Sequence, residues 1–174
     1  TVASNSVVNQ DNGWAPNSAH AVFNSLGDWA EYGFPDLGIP FGATIDGVEI
    51  SVTGNTNKED KPRHLTVSLW NSTGYSASKT AFMSKTDTTQ VLGGASDKWG
   101  KSWVGADFSD ASFKIKVGAL SADSGSNANL DAVQIKVYYT PETCGAVTTY
   151  EKTSDFTDGR VNINFESSDE QIDV

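Results

Sequence analysis

Aromatic side chains on the polar side of a predicted strand are the first feature of this sequence that could do chemistry. Residues 65–70 alternate apolar and polar side chains, and Trp70 falls on the polar side. Aromatic faces pack against the apolar faces of sugar rings, so Trp70, with Tyr75 and Tyr138, forms a candidate ligand-binding surface for a glycan. Rings in such positions can equally be covered by a loop or by a neighbouring subunit, and the sequence leaves both interpretations open.

An oxygen-rich loop is the second candidate site. Residues 123–131 contain Asp123, Asn127, Asn129 and Asp131, whose hard oxygen ligands suit calcium. Calcium is the one cofactor that the sequence suggests, and these four residues are its predicted ligands. The loop lacks the EF-hand spacing and the bidentate glutamate that ends such a loop, so a metal-free hairpin loop is the alternative.

The two histidines, His20 and His64, have no sequence context that marks a catalytic base or a zinc ligand. The chain has no nucleophile-elbow motif and no glycine-rich loop followed by Lys-Ser or Lys-Thr. Carboxylate pairs for glycoside hydrolysis can come from distant parts of a chain, and nothing recommends a particular pair here. We therefore predict that the domain is not an enzyme.

Composition and charge narrow the class of partner. The 174 residues include 20 Ser, 16 Thr and 12 Asn, a surface chemistry for which we expect a secreted or cell-surface location. The formal net charge of −10 disfavours nucleic acid and anionic membrane surfaces as partners. No apolar run approaches the roughly 18 residues that a membrane span requires, so membrane insertion is not expected.

Alternation with period two is the main local signal, and it predicts an all-β fold. It is clearest around Val48–Val52, Leu65–Leu69, Phe113–Val117 and Val133–Tyr139. Weaker strand candidates are 18–24, 29–32 and 80–84, and one helical turn is predicted near 106–112. Seven or more short strands between clusters of Gly, Asn, Asp and Pro predict an antiparallel β-sandwich, jelly-roll-like, with extended N- and C-terminal strands.

Both ends of the chain are predicted to be extended segments without a core of their own. Residues 1–11 are either an edge strand of their own domain or a strand donated to a neighbour, and 12–141 form the sandwich. Residues 142–174 are an acidic hairpin or an intersubunit strand segment, with strands predicted at 146–151 and 160–166 around an Asp158-Gly159 turn.

The tail holds much of the negative charge. Residues 1–140 carry 10 basic and 14 acidic side chains, whereas 141–174 carry 2 and 8. An isolated hairpin is marginally stable in water, so this tail needs a partner surface, on its own sandwich or on another molecule. The residues that we expect to contact such a partner are Val2, Val7, Val8, Val161, Ile163 and Phe165.

Three segments carry a resemblance to a known family: 39–50 (IPFGATIDGVEI), 93–103 (GGASDKWGKSW) and 130–140 (LDAVQIKVYYT). Over residues 12–141 the chain resembles a β-sandwich domain of bacterial surface and phage particle proteins, with the pattern IPxGATIxGVEV, GGxxDxWGxxW and VDxVxIxVYYT. The resemblance implies an antiparallel sandwich in an extracellular or virion setting, and brings no catalytic residues. The sequence departs from the pattern at Val104-Gly105, where threonine or proline usually follows the second tryptophan. From the residues themselves, Trp99 and Trp103 are expected to plug one end of the sandwich.

The first hypothesis for function is a non-catalytic structural or adhesive subunit of a prokaryotic surface appendage or filament, assembled by intersubunit strand exchange. Its partner would be another copy or a neighbouring domain. The alternative is a carbohydrate-binding, lectin-like module that binds a glycan through its aromatic side chains. A phage fibre or decoration protein is a further alternative, which no single residue distinguishes from the first.

Overall fold

The computed structural model describes residues 3–60, 62–108, 112–120, 125–142, 150–157 and 160–167, the last two ranges by their backbone. Its strands are β1 (Ala3–Asn5), β2 (Ala21–Phe23), β3 (Trp29–Gly33), β4 (Thr44–Thr56), β5 (Leu65–Asn71), β6 (Gly74–Tyr75), β7 (Lys79–Ala81), β8 (Thr88–Gly93), β9 (Lys114–Ala119), β10 (Ala128–Thr140), β11 (Tyr150–Thr157) and β12 (Arg160–Ser167). Short 3-10 turns span Gln10–Gly13 and Gly105–Phe108. None of the helices in these ranges is long and apolar enough to cross a membrane.

Two antiparallel sheets form the sandwich. Sheet A has the order β1-β3-β9-β5, with β6 and β7 both paired to β5, and sheet B has the order β2-β10-β4-β8. Alternation in β4 buries Val48, Ile50 and Val52 completely, and β5 and β9 bury their apolar residues in the same way. Apolar side chains from both sheets belong to one core. The predicted all-β, antiparallel sandwich is confirmed.

A loop with two tryptophans closes one end of the core, as predicted. Trp99 and Trp103 are 2% and 7% exposed. The Trp99 indole Nε1 donates to the Val48 carbonyl oxygen at 2.9 Å, and the Trp103 Nε1 donates to the Lys98 carbonyl at 2.8 Å. Asp97 Oδ1 accepts the Trp99 backbone N–H, and the Lys79 ammonium, 2.8 Å from the carboxylate, is the main cause that lowers the pKa of Asp97.

The described part of the N-terminal segment pairs within its own chain. Ala3–Asn5 lies antiparallel to residues 29–31, and Val8 forms an isolated bridge with Val22. Val7 is buried in the core at 7% exposure, whereas Val8 is 48% exposed. Residues 3–8 therefore lie at an edge of their own sandwich. Val2 lies outside the described residues.

The chain divides into two compact units, Thr1–Glu142 and Thr143–Val174. In the second unit β11 and β12 pair antiparallel from Tyr150↔Ser167 to Thr157↔Arg160, with Asp158 and Gly159 between them in the sequence. The second predicted strand, 160–166, lies within β12; of the first, 150–151 lie in β11 and 146–149 fall outside the described residues. Val161, Ile163 and Phe165 fall on β12.

Candidate functional site

The outer side of sheet A, facing away from the core, carries a cluster of aromatic rings. Trp29 on β3 and Trp70 on β5 lie there, because the residues beside them in the strands point into the core. Tyr75 on β6 lies on the same side, because it is the direct partner of Trp70 in the β5-β6 register. Lys116 on β9 lies between them. We call Trp29, Trp70, Tyr75 and Lys116 the aromatic face.

Trp70 and Tyr75 form a cross-strand pair. They lie opposite each other in the β5-β6 register, and their ring centroids are 4.8 Å apart at 62°. The turn that joins the strands is held by Asn71, whose Oδ1 accepts both the backbone N–H and the hydroxyl of Thr73. Gly74 follows with φ of 121°, and its carbonyl accepts a hydrogen bond from the Lys101 ammonium. This turn fixes the position of the Tyr75 ring beside Trp70.

Lys116 connects the Trp29 ring to the Trp70–Tyr75 pair. Its ammonium lies 4.6 Å from the Trp29 ring centroid and 5.0 Å from the Tyr75 centroid, both within the range of cation–π attraction. Trp29 and Lys116 are on neighbouring strands, since Glu31 is the direct partner of Lys116 in the β3-β9 register. The two contacts hold three side chains from three strands in one layer above the sheet.

A carboxylate supports the layer from below. Glu31, 9% exposed, accepts a hydrogen bond from the Tyr75 hydroxyl, and its Oε2 lies 3.6 Å from the Lys114 ammonium. Burial, followed by the hydrogen bond to Glu31, raises the pKa of Tyr75 well above its ordinary value. The phenol therefore remains a neutral donor at physiological pH, and Tyr75 keeps its ring over the sheet while 39% of the residue stays exposed.

This arrangement has the chemistry of a stacking surface. Trp29 and Trp70 are half-buried and Tyr75 is exposed, so part of each side chain is accessible. Ser68 lies opposite Lys116 in the register and adds a hydroxyl to the same side of the sheet. Rings surrounded by hydroxyl, ammonium and carboxylate groups can pack against the apolar face of a sugar and hydrogen-bond its hydroxyls.

Tyr138 does not join Trp70 and Tyr75. It is on β10, so it belongs to sheet B, where its hydroxyl donates to Glu49 Oε2 at 2.9 Å and Lys136 lies 4.6 Å from its ring centroid. The predicted set of three rings is thus divided between two sheets. Trp29 is instead the third ring on the outer side of sheet A. The sequence could have indicated this, because Trp29 precedes the inward-facing Ala30 in the predicted strand 29–32 and so falls on the outward side.

Comparisons with known proteins identify no family by sequence: no family model matches the chain and no curated protein matches it. Two solved structures of carbohydrate-binding modules are similar in fold. The CBM36-1 domain of a multidomain xylanase from the hindgut metagenome of Trinervitermes trinervoides is 11% identical, with a TM-score of 0.44 over 69% of this chain and 81% of that one. A CBM36 module in complex with calcium and xylotriose is 20% identical, with a TM-score of 0.40 over 67% and 77%.

The four predicted calcium ligands have other contacts where they are described. Asp131 is 4% exposed, and its Oδ1 accepts the backbone N–H groups of Asn17 and Ser18. Asn129 donates to Asn55, and Asn127 bonds to Thr56 and Asn57 through its main chain. Asp123 lies outside the described residues. Within the described ranges, no group of three or more His, Cys, Asp or Glu side chains could hold a metal ion.

The contacts of Asp131 lead to a prediction. Replacing Asp131 with alanine leaves two backbone N–H groups without their acceptor, so the free energy of unfolding should fall by about 1–3 kcal/mol. Asp131→Asn keeps an acceptor oxygen and should lose less. Urea unfolding of both variants and of the unmodified chain, in calcium and in EDTA, measures this. We expect the same losses in both buffers; a stability gain from calcium that Asp131→Ala abolishes would contradict this role.

The histidines have structural partners. The His20 Nε2 atom lies 3.0 Å from Asp87 Oδ1, and Asn55 donates to the same carboxylate oxygen at 2.7 Å. His64 Nδ1 accepts the Met83 backbone N–H at 3.0 Å, and burial lowers the pKa of His64. Neither ring lies in the aromatic face, and both link neighbouring segments of the sandwich.

Proposed function

We propose that the sandwich is a carbohydrate-binding module whose binding surface is the aromatic face. The observation that carries this proposal is the convergence of Trp29, Trp70 and Tyr75 on the outer side of sheet A, each on a different strand. The strands hold the rings before any ligand arrives, so little conformational entropy is lost when a sugar binds. An extracellular setting agrees with this function, because polysaccharides are encountered there.

Chemistry also favours a sugar over other ligands for this surface. The rings are interspersed with Ser68, Lys114 and Glu31, which offer hydroxyl, ammonium and carboxylate groups. A purely apolar partner would cover the Ser68 hydroxyl without offering it a hydrogen bond, at a cost of about 1–3 kcal/mol. A sugar presents an apolar ring face and many hydroxyls together, so it satisfies both kinds of group.

Affinity gel electrophoresis of the full chain against soluble polysaccharides tests the proposal. Gels that contain xylan, glucan, mannan or pectin should retard the chain in at least one case, whereas a gel without polysaccharide should not. The Tyr138→Ala variant should be retarded to the same extent, because Tyr138 lies on the other sheet. Unchanged mobility in every polysaccharide would contradict carbohydrate binding.

Assembly with another copy through the C-terminal hairpin is a second candidate function. Residues 143–174 form a unit of their own, and a two-stranded sheet is marginally stable by itself in water. Val161, Ile163 and Phe165 alternate with polar residues along β12, a pattern that favours burial of one side. Sedimentation of the full chain should reveal an oligomer that Ile163→Lys converts to a monomer; a monomer in both cases would contradict assembly by this route.

A further inference from the structure

We propose that the aromatic face selects glycans that carry an anionic substituent, a carboxylate or a sulfate, and that Lys116 is the residue that recognises it. This inference rests on the proposed carbohydrate-binding function and concerns the class of sugar. It begins from the position of the Lys116 ammonium, which lies between two aromatic rings on the outer side of sheet A.

The charges around the aromatic face are the first reason. The outer side of sheet A presents Lys114 and Lys116, and Lys101 reaches the adjoining turn at Gly74. Glu31 is the carboxylate among them, and it is already engaged by Lys114 and by the Tyr75 hydroxyl. Among the described residues, this patch is therefore locally positive on a chain whose formal net charge is −10. A positive patch raises the local concentration of anions, so an anionic ligand is favoured at this surface.

The contacts of Lys116 are the second reason. Among the described residues no carboxylate lies within 4.0 Å of its ammonium, although Glu31 is its direct partner in the β3-β9 register. The Glu31 side chain instead turns to Tyr75 and Lys114. The Trp29 and Tyr75 rings stabilise the cation without neutralising it, so its charge remains available to a ligand.

The geometry brings stacking and charge recognition together. The ammonium lies 4.6 and 5.0 Å from two ring centroids. A sugar that stacks on one of these rings brings its ring substituents close to Lys116. A carboxylate or sulfate there forms a charge-assisted hydrogen bond, which is stronger than the bond that a neutral hydroxyl forms. The preference should weaken as salt screens the charges.

Matched ligand pairs test this inference by calorimetry on the full chain. One pair is a glucuronic-acid-substituted xylo-oligosaccharide and its carboxyl-reduced form, and the other is a sulfated galacto-oligosaccharide and its desulfated form. In at least one pair we expect the anionic member to bind about fivefold more tightly at low salt, with most of the difference lost at 0.5 M NaCl.

Two variants separate the role of Lys116 from a general effect of charge. Lys116→Met keeps an unbranched stem over the rings and should abolish the preference for the anionic member of a pair. Lys136→Met removes the matching lysine above Tyr138 on sheet B and should leave the preference intact. Urea unfolding of both variants checks that the fold is retained.

The outcomes distinguish this inference from the proposed function. Equal binding of both members in both pairs overturns the anion preference and leaves carbohydrate binding standing. A preference that survives in Lys116→Met overturns the assignment of this residue. Failure of all four oligosaccharides and of every polysaccharide gel overturns the proposed function, and this inference with it.

Discussion

Replacing Trp70 with alanine is expected to lower the affinity for carbohydrate about tenfold to a hundredfold, the equivalent of about 1.4–2.8 kcal/mol of binding free energy. Trp70 is the larger member of the cross-strand pair with Tyr75, and aromatic anchors of this kind dominate binding surfaces. The substitution removes the Trp70 ring and the edge-to-face contact that orients Tyr75. The cost to folding should be only about 1–2 kcal/mol, since the ring lies on the outer side of the sheet.

The measurement is calorimetric titration with whichever polysaccharide retards the unmodified chain. Tyr138→Ala is the matched control, because Tyr138 has contacts like those of Tyr75 but on sheet B: a glutamate accepts a hydrogen bond from its hydroxyl, and a lysine lies near its ring. We expect the control to bind within about twofold of the unmodified chain. Equal losses in the two variants, or no loss in Trp70→Ala, would mean that the aromatic face is not the binding surface.

At Trp99 the large effect is expected on the stability of the fold. Trp99→Ala should lower the free energy of unfolding by about 3–5 kcal/mol, because it removes a ring that is 2% exposed and opens a cavity at the end of the core. It also removes the donor to the Val48 carbonyl. Gly93 adds to the constraint, since it has φ of 82° and a Cβ there would lie 2.6 Å from the Trp99 Nε1. A side chain at Gly93 would also collide with the Val48 carbonyl oxygen, so this position leaves room only for glycine.

Urea unfolding measures the Trp99 effect, with two variants for comparison. Trp99→Phe keeps most of the buried ring and should lose less than the alanine variant, including about 1–2 kcal/mol for the missing hydrogen bond. Phe41→Ala removes an aromatic residue that is 97% exposed and should change stability by less than about 0.5 kcal/mol. If Trp99→Ala were as stable as Phe41→Ala, the loop of the two tryptophans would not be closing the core.

The alternation of buried and exposed side chains along single strands could be predicted well. In β4, β5 and β9 the apolar and polar residues alternate so regularly that the buried side follows from the sequence, and so does the outward position of Trp70. β8 was not predicted. At the edge of sheet B, its residues alternate between half-buried and exposed, but its sequence TTQVLG does not alternate apolar and polar residues. The role of Asp131 could not be predicted, because an oxygen-rich loop suits calcium and backbone N–H groups equally well, and in the structure its Oδ1 accepts two backbone N–H groups.

The sequence by itself determined the all-β class, the inward and outward sides of its regular strands, and the loop of two tryptophans at one end of the core. It also named Trp70 and Tyr75 as candidate ligand-binding residues. Only the tertiary structure decided that Trp29 and Lys116 complete the aromatic face and that Tyr138 lies elsewhere. The physical reason is that alternation specifies which side of a strand is buried, whereas strand order depends on pairing between residues distant in the chain.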